Sequence, residues 1–187
     1  MKQISFCITC MNRLKHLQET LEKNILDNFL VDEVEFVVLD YNSQDGLEEW
    51  IAQSMMKYIE MGILVYYRTT EPAYYRHSRN MVFRLAEGEV VCNLDADNYL
   101  GRGFAEFMLK EFNNKERLFY TSNLCYRDVF GRVCLERKEF VEARGYNEVF
   151  VGYGLEDVEF FNRLLCRGLV QEIFNQKEFY NVLMHAD

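Results

Sequence analysis

Within its first 94 residues the chain alternates four strand-like apolar runs with three helical patterns. The runs are Ile4 to Thr9, Val34 to Asp40, Ile63 to Arg68 and Glu89 to Leu94. Each is short and almost continuously apolar, as expected of strands covered on both faces. Between them, Leu14, Leu17, Leu21 and Ile25 form one helical stripe. Leu47, Trp50, Ile51, Ser54, Met55, Tyr58 and Ile59 form a second, and Tyr74 to Ala86 a third that ends before Gly88, read as a helix terminator. This β-α-β-α-β-α-β order predicts an α/β fold with a mostly parallel sheet flanked by helices. The later chain adds a helix carrying Phe104, Phe107, Met108 and Phe112, and β-like segments at Leu118 to Tyr126 and Arg132 to Glu136. A last helix is expected from about Leu155 to Cys166.

In an open parallel sheet, ligands bind beyond the carboxyl ends of the strands. The polar groups there are Thr9-Cys10-Met11-Asn12-Arg13, Asp40-Tyr41-Asn42-Ser43 and Asp95-Ala96-Asp97, which should line one crevice. Read as an extension of the fourth strand, Asp95 and Asp97 would point the same way and offer two hard oxygen ligands to a divalent cation that also holds phosphate oxygens. They are equally readable as turn formers after a strand. Glu156-Asp157 opens the last helix and supplies a separate acidic pair. It suits a general base, or an acidic first turn favoured by the helix dipole.

Absences narrow the chemistry. The first glycine is Gly46, so the first strand-helix turn has no G-x-G-x-x-G fingerprint, and no G-x-x-x-x-G-K-[ST] or G-x-S-x-G element occurs. That disfavours dinucleotide dehydrogenases, P-loop nucleotidases and α/β-hydrolases. A net charge of -9 argues against nucleic acid as a partner. A diphosphate ligand remains compatible, because a bound metal ion supplies positive charge locally. No apolar run approaches a membrane span, and the N-terminus has too short an apolar stretch for a signal peptide. The expected location is the cytoplasm, with peripheral association at the cytoplasmic face of a membrane left open. Cys7, Cys92, Cys134 and Cys166 sit among apolar residues and read as reduced, buried thiols.

Taken together, five segments resemble a family-2-type glycosyltransferase of the GT-A fold. They are Thr9 to Arg13, Val38 to Asp45, Arg76-His77-Ser78-Arg79-Asn80, the D-x-D at Asp95-Ala96-Asp97, and Gly152-Tyr153-Gly154-Leu155-Glu156-Asp157. The last is similar to the G-W-G-G-E-D segment of galactosyltransferase-type enzymes, with Tyr153 in place of Trp and Leu155 in place of Gly. The resemblance implies a single glycosyltransferase domain over 1–187, with a nucleotide-sugar part in 1–100 and an acceptor and catalytic part in 101–187, and a small additional β element after the D-x-D.

It also implies a UDP-sugar donor with Mn²⁺ or Mg²⁺, and a saccharide or lipid-linked acceptor. Thr9, Cys10, Asn12, Asp40 and Asn42 would lie around the nucleotide, and Arg13, Arg76 and Arg79 would face it or its phosphates. Asp95 and Ala96 would lie toward the ribose, with Asp95, Asp97 and His185 as metal ligands. Asp157 would be the general base, with Tyr153, Gly154 and Glu156 facing the acceptor. Two other readings stay open on the residues alone: a sugar-phosphate nucleotidyltransferase, and a non-catalytic sugar-nucleotide-binding protein.

Overall fold

The computed structural model describes residues 3–30, 33–71, 75–123, 125–149 and 155–183, the side chains of Tyr75 and Arg76 excepted. Arg76 as a ligand, Tyr153, Gly154 and His185 therefore lie outside the described residues. The alternating half folds as expected: β1 Ile4–Cys10, α1 Leu14–Asp27, β2 Val34–Tyr41, α2 Leu47–Trp50, α3 Met56–Glu60, β3 Leu64–Thr69, α4 Tyr75–Leu85 and β4 Val90–Asn93. The single helix expected from Leu47 to Ile59 is broken. A π-helical turn, Ile51–Met55, joins α2 to α3 and keeps Ile51 and Met55 both buried.

The second half supplies α5 Phe104–Asn114, β5 Leu118–Thr121, β6 Val133–Glu136, α6 Arg137–Glu142, α7 Glu156–Cys166 and β7 Val170–Ile173. Two 3₁₀ turns, Arg127–Val129 and Lys177–Tyr180, complete it. Among the described residues, seven strands share one sheet in the order β3-β2-β1-β4-β6-β5-β7. The β element expected after the D-x-D is present as β5, β6 and β7. Its strands continue the sheet, with β6 antiparallel to both β4 and β5, and β7 parallel to β5.

Both faces of the sheet are covered, and strand alternation divides the core. Ile4, Phe6, Ile8, Phe36 and Val38 pack with α1 and α5 on one face. Cys7, Val37, Leu39 and Val91 pack with α4, α6 and α7 on the other. Because α4 and α7 share a face, a side chain from each can meet beyond the strand ends. Of the cysteines expected to be buried, Cys7, Cys92 and Cys134 are, whereas Cys166 is exposed at the end of α7. Gly88 lacks a left-handed backbone and so is not the helix terminator expected. It brings the chain against β1, where a Cβ would lie 2.5 Å from the Ser5 hydroxyl.

A polar stripe on α1 fixes the loop that follows β4. Thr20, Asn24 and Asn28 recur at intervals of four residues beside the apolar stripe, so they face one way. The Thr20 hydroxyl donates to Ala96 O (2.7 Å). Asn24 donates to Asn98 O (2.9 Å) and accepts from Leu100 N (2.8 Å). Asn28 donates to Gly101 O (3.0 Å) and accepts from Ala105 N (2.9 Å). An Asn24→Ala variant leaves a buried backbone donor and acceptor unpaired, at about 1–3 kcal/mol each. It is expected to lower stability by about 2–4 kcal/mol and Tm by roughly 5–15 °C in a thermal melt. An unchanged Tm would show that the stripe does not hold the loop.

Candidate active site

The carboxyl ends of β1 and β2 form a hydrogen-bonded rim. Asn12 N donates to Ser43 Oγ (3.0 Å), Gln44 N to Asn12 Oδ1 (2.7 Å), and Leu14 N to Asp45 Oδ2 (2.8 Å). Asn12 and Asn42 both adopt left-handed backbone, at φ 53° and 59°, a conformation asparagine tolerates better than most side chains. Thr9 is half-buried and Cys10 buried, its thiol pushed up to about 12 by burial, so it stays protonated at neutral pH. Arg13 is exposed.

Asp40 is fully buried, and both its oxygens are engaged within the protein. Oδ1 accepts from Ser43 N (2.8 Å), while Oδ2 accepts from Tyr66 OH (2.7 Å) and lies 3.5 Å from Arg68 Nε. The same contact, with burial the larger cause, raises the Tyr66 phenol far above its ordinary value. Asp40, expected to lie around the nucleotide, thus braces the β2 turn from beneath.

At the end of β4 the backbone leaves the strand sooner than the sequence reading required. β4 stops at Asn93, and Asp95 to Asn98 form a turn closed by Asn98 N donating to Asp95 O (3.0 Å). The two aspartates are thus not placed on one side by strand alternation. The turn separates their partners. Asp95 Oδ1 lies 3.2 Å from Asn93 Nδ2, which donates to it, and 3.5 Å from Arg79 Nη2. Asp97 Oδ1 accepts from Asn98 Nδ2 (3.0 Å), and its carbonyl accepts from Leu183 N (2.8 Å). Leu183 thereby brings the chain to Asp97 two positions before His185. Ala96 contributes its carbonyl to Thr20, as above.

Across from this turn stands the acidic start of α7. Asp157 is 6 % exposed and Glu156 1 %. Arg79 of α4, itself 2 % exposed, donates from Nη1 to Asp157 Oδ1 at 2.7 Å. One guanidinium therefore joins the expected base to Asp95, the first acid of the D-x-D. Arg79, expected to face the nucleotide or its phosphates, here meets two carboxylates. The next residue fastens the same helix: Asn80 donates to Tyr146 O (2.9 Å) and accepts from Tyr146 N (2.7 Å), and the Tyr146 ring lies 5.4 Å from the Arg79 guanidinium carbon. Burial raises the Asp157 carboxyl above its ordinary value. Arg79 pulls it back, and the negative charges of Glu156 and Asp95 push it up again.

Several contributors have no place in the sequence reading. Gly131 lets the β5–β6 connection approach closely, since a Cβ there would lie 2.9 Å from Arg79 Nη2 and 3.4 Å from Asp95 Oδ2. Asn93 ties that connection to β4 by donating to Gly131 O (3.0 Å). Arg132, wholly buried, donates to Asn98 Oδ1 (3.2 Å), Tyr99 O (3.0 Å) and Phe179 O. The Thr20, Asn24 and Asn28 stripe had a readable signal in its spacing; a lone Arg beside a strand had none.

Hard oxygen donors at Asp95 and Asp97 fit a Mg²⁺- or Mn²⁺-type ion that completes its shell with substrate phosphates. Among the described residues no three acidic, histidine or cysteine groups gather into a full metal cage. The donor set therefore fits an ion shared with a ligand better than a structural metal.

Residues 5–174 match the family described as glycosyl transferase family 2. No curated protein is matched. Among solved structures, the chain is similar to the mannosyltransferase PcManGT from Pyrobaculum calidifontis, in complex with GDP-Man and Mn²⁺. That likeness has a TM-score of 0.73 at 17% identity, over 95% of this chain and 58% of that one. It is also similar to S. aureus TarS 1-349, with a TM-score of 0.76 at 17% identity, over 95% of this chain and 59% of that one. The UDP-GlcNAc complex of TarS 1-349 gives a TM-score of 0.71 at 16% identity, over 95% and 60%. The chain thus spans about three-fifths of these structures, and at such identities the likeness is one of fold.

A carboxyl-detected NMR titration of Asp157 is expected to give a pKa above 3.8, and a higher one still in Arg79→Gln. The folded protein holds this proton more tightly than the unfolded chain does. The group's contribution to stability is therefore full below the ordinary carboxylate value and fades as pH rises through the raised one. An unshifted value in Arg79→Gln would remove the ion pair from the account.

Proposed function

Because the chain belongs to glycosyl transferase family 2, we propose that it is a metal-dependent, inverting glycosyltransferase. It moves a hexose or N-acetylhexosamine from a UDP-sugar to a saccharide or lipid-linked acceptor, with Asp157 as general base. The observation that carries this reading is the joining of Asp157 and Asp95 through the buried Arg79 guanidinium. A pure nucleotide binder has no need of a shielded carboxylate held at raised basicity beside its phosphate site. The PcManGT and TarS structures with GDP-Man, Mn²⁺ and UDP-GlcNAc support a nucleotide-sugar donor.

Asp95 and Asp97 would hold a divalent ion against the donor diphosphate, with His185 as a further ligand. When bound, the ion neutralises charge that develops on the departing nucleoside diphosphate. The rim of Thr9, Asn12, Arg13 and Asn42 would receive the nucleoside, its shape set by the buried Asp40. Asp157 takes the proton from the acceptor hydroxyl as that oxygen attacks the anomeric carbon. Arg79 holds the Asp157 carboxylate in place and ionised, and the surrounding burial excludes water that would compete with the acceptor. A single base opposite the leaving group gives inversion at the anomeric carbon.

The test is UDP release from a panel of UDP-sugars with Mn²⁺, with and without saccharide or lipid-linked acceptors. Transfer should fall by about 10²–10⁴-fold in Asp157→Asn while UDP still binds. Normal transfer by a correctly folded Asp157→Asn would sink the base assignment; binding with no turnover on any acceptor would favour a sugar-nucleotide sensor. In calorimetric titrations, Asp97→Asn and His185→Ala should each weaken Mn²⁺ binding in the presence of UDP. Unchanged affinity in either removes that residue from the metal site.

A further inference from the structure

A cleft opens beside the residues that hold the D-x-D turn. Its volume is about 340 Å³, at the small end of ordinary ligand pockets. Tyr126, Arg127, Asp128, Tyr180 and Val182 line it. The Tyr126 ring is 40% exposed and stacks on Tyr180, with centroids 4.0 Å apart and planes at 27°. Tyr180 is itself immobilised: its hydroxyl accepts from Asn123 N (3.0 Å) and donates to Phe174 O. Tyr126 is therefore a pre-set aromatic platform. Beside it, the 3₁₀ turn presents Arg127 and Asp128, both exposed and neither in a salt bridge among the described residues.

The cleft is fastened to the D-x-D turn. Asn98 Nδ2 donates both to Asp128 O (3.1 Å) and to Asp97 Oδ1 (3.0 Å). Val182, on the cleft wall, bridges to Asn98. Three residues beyond Asp128, Gly131 lies against Arg79 and Asp95. That stretch of chain spans at most about 10 Å, the scale of one or two sugar rings.

We propose that this cleft is an outer subsite for the acceptor, holding a sugar unit that does not itself react. A pyranose ring has a C–H face that packs on the electron-rich face of an aromatic ring. Its edge carries hydroxyls that accept from a guanidinium and donate to a carboxylate, the two groups the turn provides. Arg127 and Asp128 offset each other in charge, so the cleft favours a neutral saccharide over a phosphate or a nucleotide. A cleft fastened to the D-x-D turn suits the remote part of a substrate, whose binding positions the reacting hydroxyl. The inference rests on the transferase reading for its role as an acceptor subsite, but the cleft's affinity for sugar is measurable apart from it.

The experiment is an NMR titration of the protein with the methyl glycosides of glucose, galactose, mannose and N-acetylglucosamine, with UDP affinity measured in parallel by calorimetry. At least one glycoside should shift the Tyr126 and Asp128 resonances. Tyr126→Ala should weaken that binding about tenfold, and Tyr126→Trp should restore it. Asp128→Asn, which leaves the ring pair intact, should weaken it too and carries the test if Tyr126→Ala folds poorly. UDP affinity should be the same in all variants. Binding by none of the four glycosides, or equal binding by wild type and both weakening variants, overturns the subsite. A wild type that binds a glycoside at Tyr126 but no UDP would instead overturn the transferase reading and leave the sugar site standing.

Discussion

The buried guanidinium of Arg79 is the contact on which the candidate site depends. Taking an arginine out of water is costly, and removing one partner from such a pair typically destabilises by about 3–5 kcal/mol. Here the charge is met on one side by Asp157 at 2.7 Å and on the other by Asp95 at 3.5 Å. These acids come from α7 and from the turn after β4, and the arginine from α4. The bridge thus ties the alternating β-α half of the chain to the half that carries α7. It also reconciles two opposed demands on Asp157, since burial makes the carboxyl more basic while the guanidinium keeps it ionised and aimed.

Around that bridge the D-x-D turn is gripped from two directions. The Thr20, Asn24 and Asn28 stripe of α1 satisfies backbone groups from Ala96 to Ala105. Arg132 reaches from β6 to Asn98, Tyr99 and Phe179. Hydrogen bonds made from two elements restrain a turn that would otherwise move freely, and a site built on such a turn keeps its carboxylates in place.

The doubly covered strands β1, β2 and β4 were legible because burial on both faces leaves a continuous apolar run, and the helices between them because amphipathic spacing is local. The D-x-D and the acidic start of α7 were legible as residue types in order. What was not legible is long-range or weakly patterned. The role of Arg79 depends on α4 and α7 sharing a face, which no local spacing encodes. Asp95 and Asp97 were assigned to an extended backbone, but the chain turns at Asp95 instead. β7 escaped notice because it is short and at the edge of the sheet, with Val170 and Ile173 exposed, so it lacks the alternation that marks a half-buried strand. Cys166 lies with Leu165 on the exposed side of α7, and of its two nearest apolar neighbours only Leu164 is buried.

In the proposed mechanism the metal-and-diphosphate site at Asp95 and Asp97 and the base Asp157 form one reaction centre. Paramagnetic broadening by Mn²⁺ tests it most directly, because the effect falls steeply with distance from the ion. With UDP present, Mn²⁺ should broaden the Asp157 side-chain carboxyl resonance beyond detection while leaving that of Glu60, at the far end of α3, sharp; in Asp97→Asn the Asp157 resonance should stay sharp as well. A sharp Asp157 resonance in the wild-type protein saturated with Mn²⁺ and UDP would contradict the claim.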